Sequence, residues 1–180
     1  MKIKIEEAVF CLVDVQEKLF PHISNKEILE KNLITLIKGL KVHDLPFIIN
    51  EQYKKGIGST IPSLEELVQD EPHFEKTTFS CCANETTLEA LKATGKKVVI
   101  VAGIETHVCV LQTCLDLLEE GFQPVLVTDC VGSREQYNTD MAILRLTQAG
   151  VIPTTYESLL FELTINAKNP NFKAISALVK

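Results

Sequence analysis

The chain has 180 residues, a length that suits a single domain, and 46% of them are apolar against 23% charged. This composition excludes intrinsic disorder, collagen-like repeats and a small disulfide scaffold. The net charge of −6 leaves no basic surface for a phosphate backbone, so we expect no nucleic-acid partner. The longest aliphatic run, residues 98–104, is much shorter than the roughly 20 residues of a membrane helix, and no signal-peptide pattern opens the chain. We therefore expect a cytoplasmic protein with no membrane partner.

Strand and helix patterns alternate along the whole chain. The predicted strands are residues 8–13, 46–49, 73–76, 97–102, 124–128 and 151–153. The predicted helices are residues 25–42, 62–67, 85–94, 106–120, 137–149, 156–163 and 171–179. Residues 50–63 are irregular and contain glycine, which makes them the best candidate for a functional loop. This alternation predicts a parallel sheet with helices on both faces, folded as one domain over residues 1–180.

Two charged residues fall at the carboxyl ends of predicted strands, where parallel sheets bind ligands. Asp14 directly follows the strand 8–13, which would place its carboxyl group, partly desolvated, in the ligand crevice. The alternative is a helix N-cap or another structural acid. Lys76 ends the strand 73–76 between aromatic residues, where an ammonium group would lower a thiol pKa or balance developing charge. The alternative for Lys76 is an ordinary surface lysine.

Cys109 is the candidate nucleophile of the chain. If Thr106 is the N-cap of the helix 106–120, Cys109 lies in its first turn, where free N–H groups and the helix dipole favour a thiolate. The thiolate is the reactive form of cysteine. The alternative is a packed core cysteine, a description that fits Cys114 better because Cys114 lies deeper in the helix.

The remaining cysteines and the histidines give no metal or cofactor pattern. The six cysteines include no C-x-x-C pair, and we expect them to be thiols; the role of the vicinal pair Cys81-Cys82 stays open. The four histidines lack i, i+4 and H-x-H spacing, so we predict no metal. No G-x-G-x-x-G follows a strand and there is no P-loop, so we expect no cofactor.

Taken together, these motifs resemble the isochorismatase-like cysteine hydrolases. The resemblance rests on a strand that ends Asp14-x-Gln16, on the mid-chain Lys76, and on Gly103-x-x-Thr-x-x-Cys109-Val at the start of a helix. It covers nearly the whole chain. Glu51-Gln52-Tyr53 and Gly103-Ile104-Glu105 point to the subgroup of isochorismatase-domain-containing proteins. The resemblance implies a six-stranded parallel sheet in a three-layer, Rossmann-like α/β/α fold.

The resemblance also implies a mechanism. Cys109 would be the nucleophile, Asp14 the general base and Lys76 the cation that orients the pair. A non-proline cis peptide would join Ile104 to Glu105, so that the N–H groups of Glu105 and Cys109 form an oxyanion hole. The expected activity is hydrolysis of a small-molecule amide, ester or carbamate through a thioester.

The residues also depart from better-known relatives. Nicotinamidases carry histidine metal ligands, but residues 50–55 contain no histidine, so we expect neither a metal nor nicotinamide. Isochorismate cleavage does not need the cysteine, so Cys109 argues against that reaction. We expect the substrate pocket to be lined by Phe20, Glu51, Tyr53 and Phe79, with His107 either exposed at the surface or facing the substrate.

Two other functions stay open at this stage. One is a catalytically silent interaction protein on the same fold, and the other is a nuclease, since some relatives are labelled ribonucleases. By resemblance, we also expect a homo-oligomer, a dimer or larger.

Overall fold

Six parallel strands make up the centre of the computed structural model, which describes residues 1–180. The strands are β1 (Ala8–Val13), β2 (Phe47–Gln52), β3 (His73–Lys76), β4 (Val98–Ile104), β5 (Gln123–Gly132) and β6 (Ile152–Thr154). The helices are α1 (Lys26–Val42), α2 (Lys54–Ile57), α3 (Pro62–Val68), α4 (Glu85–Ala93), α5 (Leu111–Glu119), α6 (Gln136–Ala149), α7 (Tyr156–Thr164) and α8 (Phe172–Leu178).

The strand order is β3-β2-β1-β4-β5-β6, and every pair of neighbours is parallel. The chain builds outward from β1 to β3 and then crosses back to place β4 on the other side of β1. The order therefore reverses between β1 and β4, and a crevice opens at their carboxyl ends. Asp14 follows β1, and Glu105 follows β4, so both residues lie at this crevice.

Apolar side chains cover both faces of the sheet. Residues along β1 alternate between the faces, with Phe10 and Leu12 on one side and Cys11 and Val13 on the other. The helices α1, α3, α7 and α8 pack on the first face, and α4, α5 and α6 pack on the second. The predicted three-layer α/β/α fold with a six-stranded parallel sheet is confirmed. None of the helices has both the length and the apolar character needed to cross a membrane.

The structure differs from the predicted elements around the crevice. Residues 50–63 are not one irregular loop, because β2 continues to Gln52 and α2 follows it. The predicted helix 106–120 is divided into a π-helical turn, Thr106–Val110, and α5. Strand β5 extends beyond the predicted residue 128 to Gly132. The strands are longer than predicted because Gln52 pairs with Lys76 of β3 and Gly132 pairs with Ile104 of β4, a long-range effect that local periodicity does not register.

Candidate active site

Asp14 lies at the point where the order of the strands reverses. Its backbone has φ of 53°, in the left-handed region, and its N–H donates to the carbonyl of Asn50 in β2. The side chain is completely buried. The nearest helical turn, Phe20–His22, has Leu19 as its N-cap, so Asp14 does not cap a helix.

Lys76 reaches Asp14 from the end of β3. Its Nζ lies 2.7 Å from Oδ2 of Asp14 and 2.8 Å from Oε1 of Gln52, and it also donates to the carbonyls of Thr78 and Phe79. The ammonium group is completely buried. The alternative of a surface lysine is therefore wrong, since all of its donors point to acceptors inside the protein.

The pKa values of Asp14 and Lys76 are both shifted by their burial and by each other. Burial raises the pKa of Asp14 above its ordinary value, although the charge of Lys76 and its hydrogen bond act in the opposite direction. Burial is the largest single influence on the pKa of Lys76 and lowers it, but the charge and hydrogen bond of Asp14 act together with the nearby cysteines to raise it, so the pKa is raised overall. Lys76 is therefore a permanent cation at neutral pH, next to a carboxylate that is more basic than a solvated one.

Cys109 lies in the π-helical turn that joins β4 to α5. The N-cap of this turn is Glu105 rather than the expected Thr106, and no side chain caps it. The hydroxyl of Thr106 is instead buried without a hydrogen-bond partner. Cys109 is 6% exposed, whereas Cys114 is fully enclosed in the core. Of these two cysteines, only Cys109 can therefore meet a ligand.

The expectation that Cys109 is a thiolate is wrong for the unliganded protein. Burial raises the pKa of the thiol well above its ordinary value, and the charge of Asp14 raises it further, against a lowering by Lys76. Desolvation of the thiolate is the largest cause of this rise, and the prediction from the helix terminus did not include it. The resting sulfur is a thiol, and it needs a base.

Asp14 has the geometry of such a base. Its Oδ1 is buried and has no hydrogen-bond partner, while Oδ2 is held by Lys76. Asp14 and Cys109 line the same cavity, and an interaction with the Cys109 thiol lowers the pKa of Asp14. One carboxylate oxygen is therefore fixed and the other is available for a proton.

A cavity of about 270 Å³ opens at these residues. Phe79, which the sequence predicted as a lining residue, lies on its wall together with Asp14, Cys109 and Glu105. Five further residues line the cavity and were not predicted as pocket residues from the sequence: Leu19, Gln52, Ile57, Val108 and Arg134. Gln52 belongs to the Glu51-Gln52-Tyr53 segment that carried the family resemblance, and this was the available signal for it.

Four predicted pocket residues do not line the cavity. Phe20 is buried in the core, because the short helical turn at residues 20–22 points it inward and leaves Leu19 at the cavity. Glu51 is buried and accepts hydrogen bonds from the N–H and hydroxyl of Thr60. Tyr53 is exposed, and His107 is partly buried with its Nδ1 3.0 Å from the hydroxyl of Ser133.

Gln16, the last residue of the Asp-x-Gln motif, holds the edge of the site together. Its Nε2 donates to the carbonyls of Gln52 and Gly58, and its Oε1 accepts from the N–H of Gln52. The side-chain amide thus ties the residue after β1 to the end of β2 and to the turn after α2. This fixes Gln52 where it contacts Lys76.

Glu105 and Arg134 form a second ion pair at the cavity. Arg134 Nε lies 3.1 and 3.2 Å from the two carboxylate oxygens of Glu105, and the Arg134 backbone N–H donates to the same carboxylate at 3.0 Å.

The peptide bond between Ile104 and Glu105 is cis. All six cysteines are free thiols, Cys81 and Cys82 included. No group of three or more His, Cys, Asp or Glu side chains is placed to hold a metal ion.

Gly103 allows β4 to approach β1 closely just before this site. A Cβ atom at this position would lie 2.1 Å from the carbonyl oxygen of Val13, and the φ of 128° also disfavours any other residue. The absence of a side chain therefore sets the separation of the two strand ends that carry Asp14 and Glu105.

Comparison with known proteins places the chain in a family. The sequence model of the isochorismatase domain matches residues 8–158. Isochorismatase domain-containing protein 1 of Danio rerio is 35% identical over 173 residues, which are 96% of this chain and 61% of that protein. The chain thus spans about three fifths of that relative.

Two solved structures superpose on nearly the whole chain. The MAR1 ribonuclease of Caenorhabditis elegans is 36% identical with a TM-score of 0.93, covering 99% of this chain and 92% of that one. YcaC of Escherichia coli, described as an octameric hydrolase of unknown specificity, is 29% identical with a TM-score of 0.94, covering 99% and 89%. The protein is therefore a member of the isochorismatase family of hydrolases.

Proposed function

We propose that the protein hydrolyses a small-molecule amide, ester or carbamate through a thioester on Cys109. One observation carries the proposal: in a cavity lined by Cys109, the Asp14 carboxylate has one oxygen held by Lys76 at 2.7 Å and the other without a partner. A buried carboxylate with one unpaired oxygen can accept a proton, and the Cys109 thiol on the same cavity wall can donate one.

The reaction begins with the thiol proton moving to Asp14 as the Cys109 sulfur attacks the substrate carbonyl. This forms a carbon–sulfur bond and moves the carbonyl electrons to oxygen, where we place the N–H groups of Glu105 and Cys109 as donors. Collapse of the tetrahedral intermediate breaks the bond to the leaving amine or alcohol, which takes the proton back from Asp14. Water then attacks the thioester with Asp14 as base, releasing the acid and the thiol.

Lys76 acts on Asp14 rather than on the substrate in this scheme. Its charge and its hydrogen bond lower the pKa of Asp14 against the rise that burial causes, and so favour the carboxylate. It also favours the thiolate as the proton leaves Cys109, since Lys76 lowers the pKa of the thiol. We therefore assign Lys76 the role of charge balance.

The test is a screen of small amides, esters and carbamates with the wild type and three variants. Cys109→Ala should abolish turnover and the acyl adduct seen by intact mass after acid quench. Asp14→Asn should lower kcat/KM by roughly 100-fold or more, the usual contribution of a general base. Cys114→Ala, which alters a sulfur sealed in the core, serves as the matched control and should keep the adduct. Full activity of Cys109→Ala would exclude the nucleophile assignment.

Ribonuclease activity is the second candidate, and the MAR1 relative is the observation that favours it. Against it stand the net charge of −6 and the small volume of the cavity. Single-stranded RNA belongs in the same screen, and cleavage that Cys109→Ala abolishes would favour the nuclease. If no compound acylates Cys109 and no RNA is cleaved, an interaction protein becomes the better description.

We also propose that the chain forms a homo-oligomer. The octameric YcaC supports this proposal. In addition, Tyr137, Met141 and Leu144 are exposed along one stripe of α6, at the i, i+4, i+7 spacing of a helix face that packs against a partner. Light scattering after size-exclusion chromatography measures the assembly, and a monomer at micromolar concentration would refute it.

A further inference from the structure

The charged groups at the cavity are already paired inside the protein. Asp14 is matched by Lys76 at 2.7 Å, and Glu105 is matched by Arg134 at 3.1 Å. The remaining polar lining residues, Gln52 and the Cys109 thiol, are neutral. The cavity therefore offers an incoming ligand no charge that lacks a partner.

The rest of the cavity wall is apolar. Leu19 and Ile57 form part of it, and Val108 and Phe79 complete it. At about 270 Å³ the cavity is smaller than the usual sites for drug-sized ligands. Such a wall favours a short apolar group and opposes a charged one, because a charge moved out of water here would meet only charges that a partner already neutralises.

We infer that the substrate is a small uncharged amide or ester with a short apolar acyl group, and that the Glu105–Arg134 pair sets this preference. The inference rests on the proposed function and names the substrate class of the same site. Glu105 is a positioning residue here: it neutralises Arg134, which would otherwise present a cation to the ligand.

The two side chains of the Glu105–Arg134 pair differ in their exposure to solvent. The Glu105 side chain is 8% exposed, whereas that of Arg134 is 60% exposed. Only Nε of the Arg134 side chain has an acceptor in the protein, so its remaining N–H donors are free. Removal of the charge of Glu105 would leave the Arg134 cation, with its free donors, without a neutralising charge, which is the arrangement that binds carboxylates.

The experiment compares two amides of equal carbon count, butyramide and succinamate, which differ in a terminal methyl against a carboxylate. Release of ammonia gives kcat/KM for each, and protection of Cys109 from iodoacetamide gives the affinity for each independently of turnover. For the wild type we expect butyramide to be favoured by about tenfold or more in both measurements, because the carboxylate loses hydration without gaining a partner.

Two variants test the role of the pair. Glu105→Gln should lower the preference for butyramide by about tenfold or more, because Arg134 is then unpaired. Arg134→Gln should raise it, because the charge of Glu105 then opposes a carboxylate. Glu135→Gln, the same substitution at an exposed neighbour, is the control and should leave the preference within about twofold. The preference is a ratio, so a general loss of activity in a variant cancels, and circular dichroism checks that each variant is folded.

The outcomes separate the inference from the proposed function. Equal or better use of succinamate by the wild type, with an acyl adduct on Cys109, would overturn the inference and leave the cysteine mechanism standing. Failure of both amides to protect Cys109 would also overturn it, as would an unchanged preference in Glu105→Gln. The absence of any acyl adduct across the whole screen of amides, esters and carbamates would instead refute the proposed function.

Discussion

Replacement of Lys76 by methionine tests whether the Asp14–Lys76 pair organises the site. Methionine keeps much of the buried stem but removes the ammonium group, which donates to Asp14, Gln52 and two backbone carbonyls within 3.1 Å. Removing one partner of a buried ion pair leaves an uncompensated charge and costs about 3–5 kcal/mol. We therefore expect Lys76→Met to lower the free energy of unfolding by about that amount at pH 7.

The loss should depend on pH in a definite direction. Without Lys76, burial still raises the pKa of Asp14, and the lowering by the ammonium group is gone. An acid whose pKa is higher in the folded state than its unfolded value of about 3.9 is not penalised below that value. The penalty grows by about 1.4 kcal/mol per pH unit until the folded pKa is reached, and is constant above it. Lys76→Met should therefore be closer to the wild type at pH 4 than at pH 7.

Urea unfolding followed by circular dichroism at pH 4, 5.5 and 7 provides the assay, with the protomer concentration held constant. Lys54→Met is the matched control, because Lys54 pairs with Glu51 but is 47% exposed, so its loss should cost less than about 1 kcal/mol. The double variant Asp14→Asn with Lys76→Met should be more stable than Lys76→Met alone, since it removes the buried charge. A loss at Lys76 no greater than that at Lys54, or one independent of pH, would refute the reasoning.

Three further predictions concern the acid, the sulfur and the strand spacing. Because burial raises the pKa of Asp14, activity should fall at acid pH with a midpoint above the ordinary aspartate value of about 3.9, and a midpoint below it in the pH–rate profile would contradict the general-base role. Iodoacetamide should label Cys109 at pH 7 at least about tenfold faster in the wild type than in Asp14→Asn. The reason is that Asp14 takes the thiol proton as the sulfur attacks, and we expect this to exceed the opposing rise that Asp14 causes in the thiol pKa. Cys114 is the unreactive internal control in mass spectrometry, and equal rates would contradict the prediction. Gly103→Ala should lower the free energy of unfolding by about 3 kcal/mol or more, since its Cβ would lie 2.1 Å from a backbone oxygen. Gly95→Ala, with no atom within 4 Å, should lower it by no more than about 2 kcal/mol. Urea unfolding measures both variants, and similar losses would contradict the close approach of the strands.

Much of the fold could be predicted because its strands are buried on both faces. The run 8–13 is apolar throughout, and β1 occupies those residues. Alternating strand and helix patterns then require parallel connections, which is sufficient for the three-layer sheet. The strand order follows from none of these patterns, and it is the strand order that brings Asp14, Lys76 and Cys109 together.

The chemical state of the site was harder to predict than its location. The position of Cys109 after β4 suggested a thiolate through the helix dipole, but burial raises the pKa of the thiol, and burial depends on packing from other elements. The residues that line the cavity were also hard to predict from the sequence. A short helical turn sends Phe20 into the core and leaves Leu19 at the cavity, a rotation that no periodicity in so short a segment reveals. The cytoplasmic location stays a prediction from the sequence.

The amide of Gln16 has a consequence for how the selectivity of this protein can be altered. It satisfies three backbone groups that no other side chain serves, and it does so without lining the cavity. Recognition and framework are therefore carried by different residues. New selectivity can be introduced by varying Leu19, Ile57 or Phe79, each of which has one side toward the ligand. A change at Gln16 would instead lower the activity on every substrate alike. Directed evolution of this protein should therefore keep Gln16 while it randomises the residues of the cavity wall.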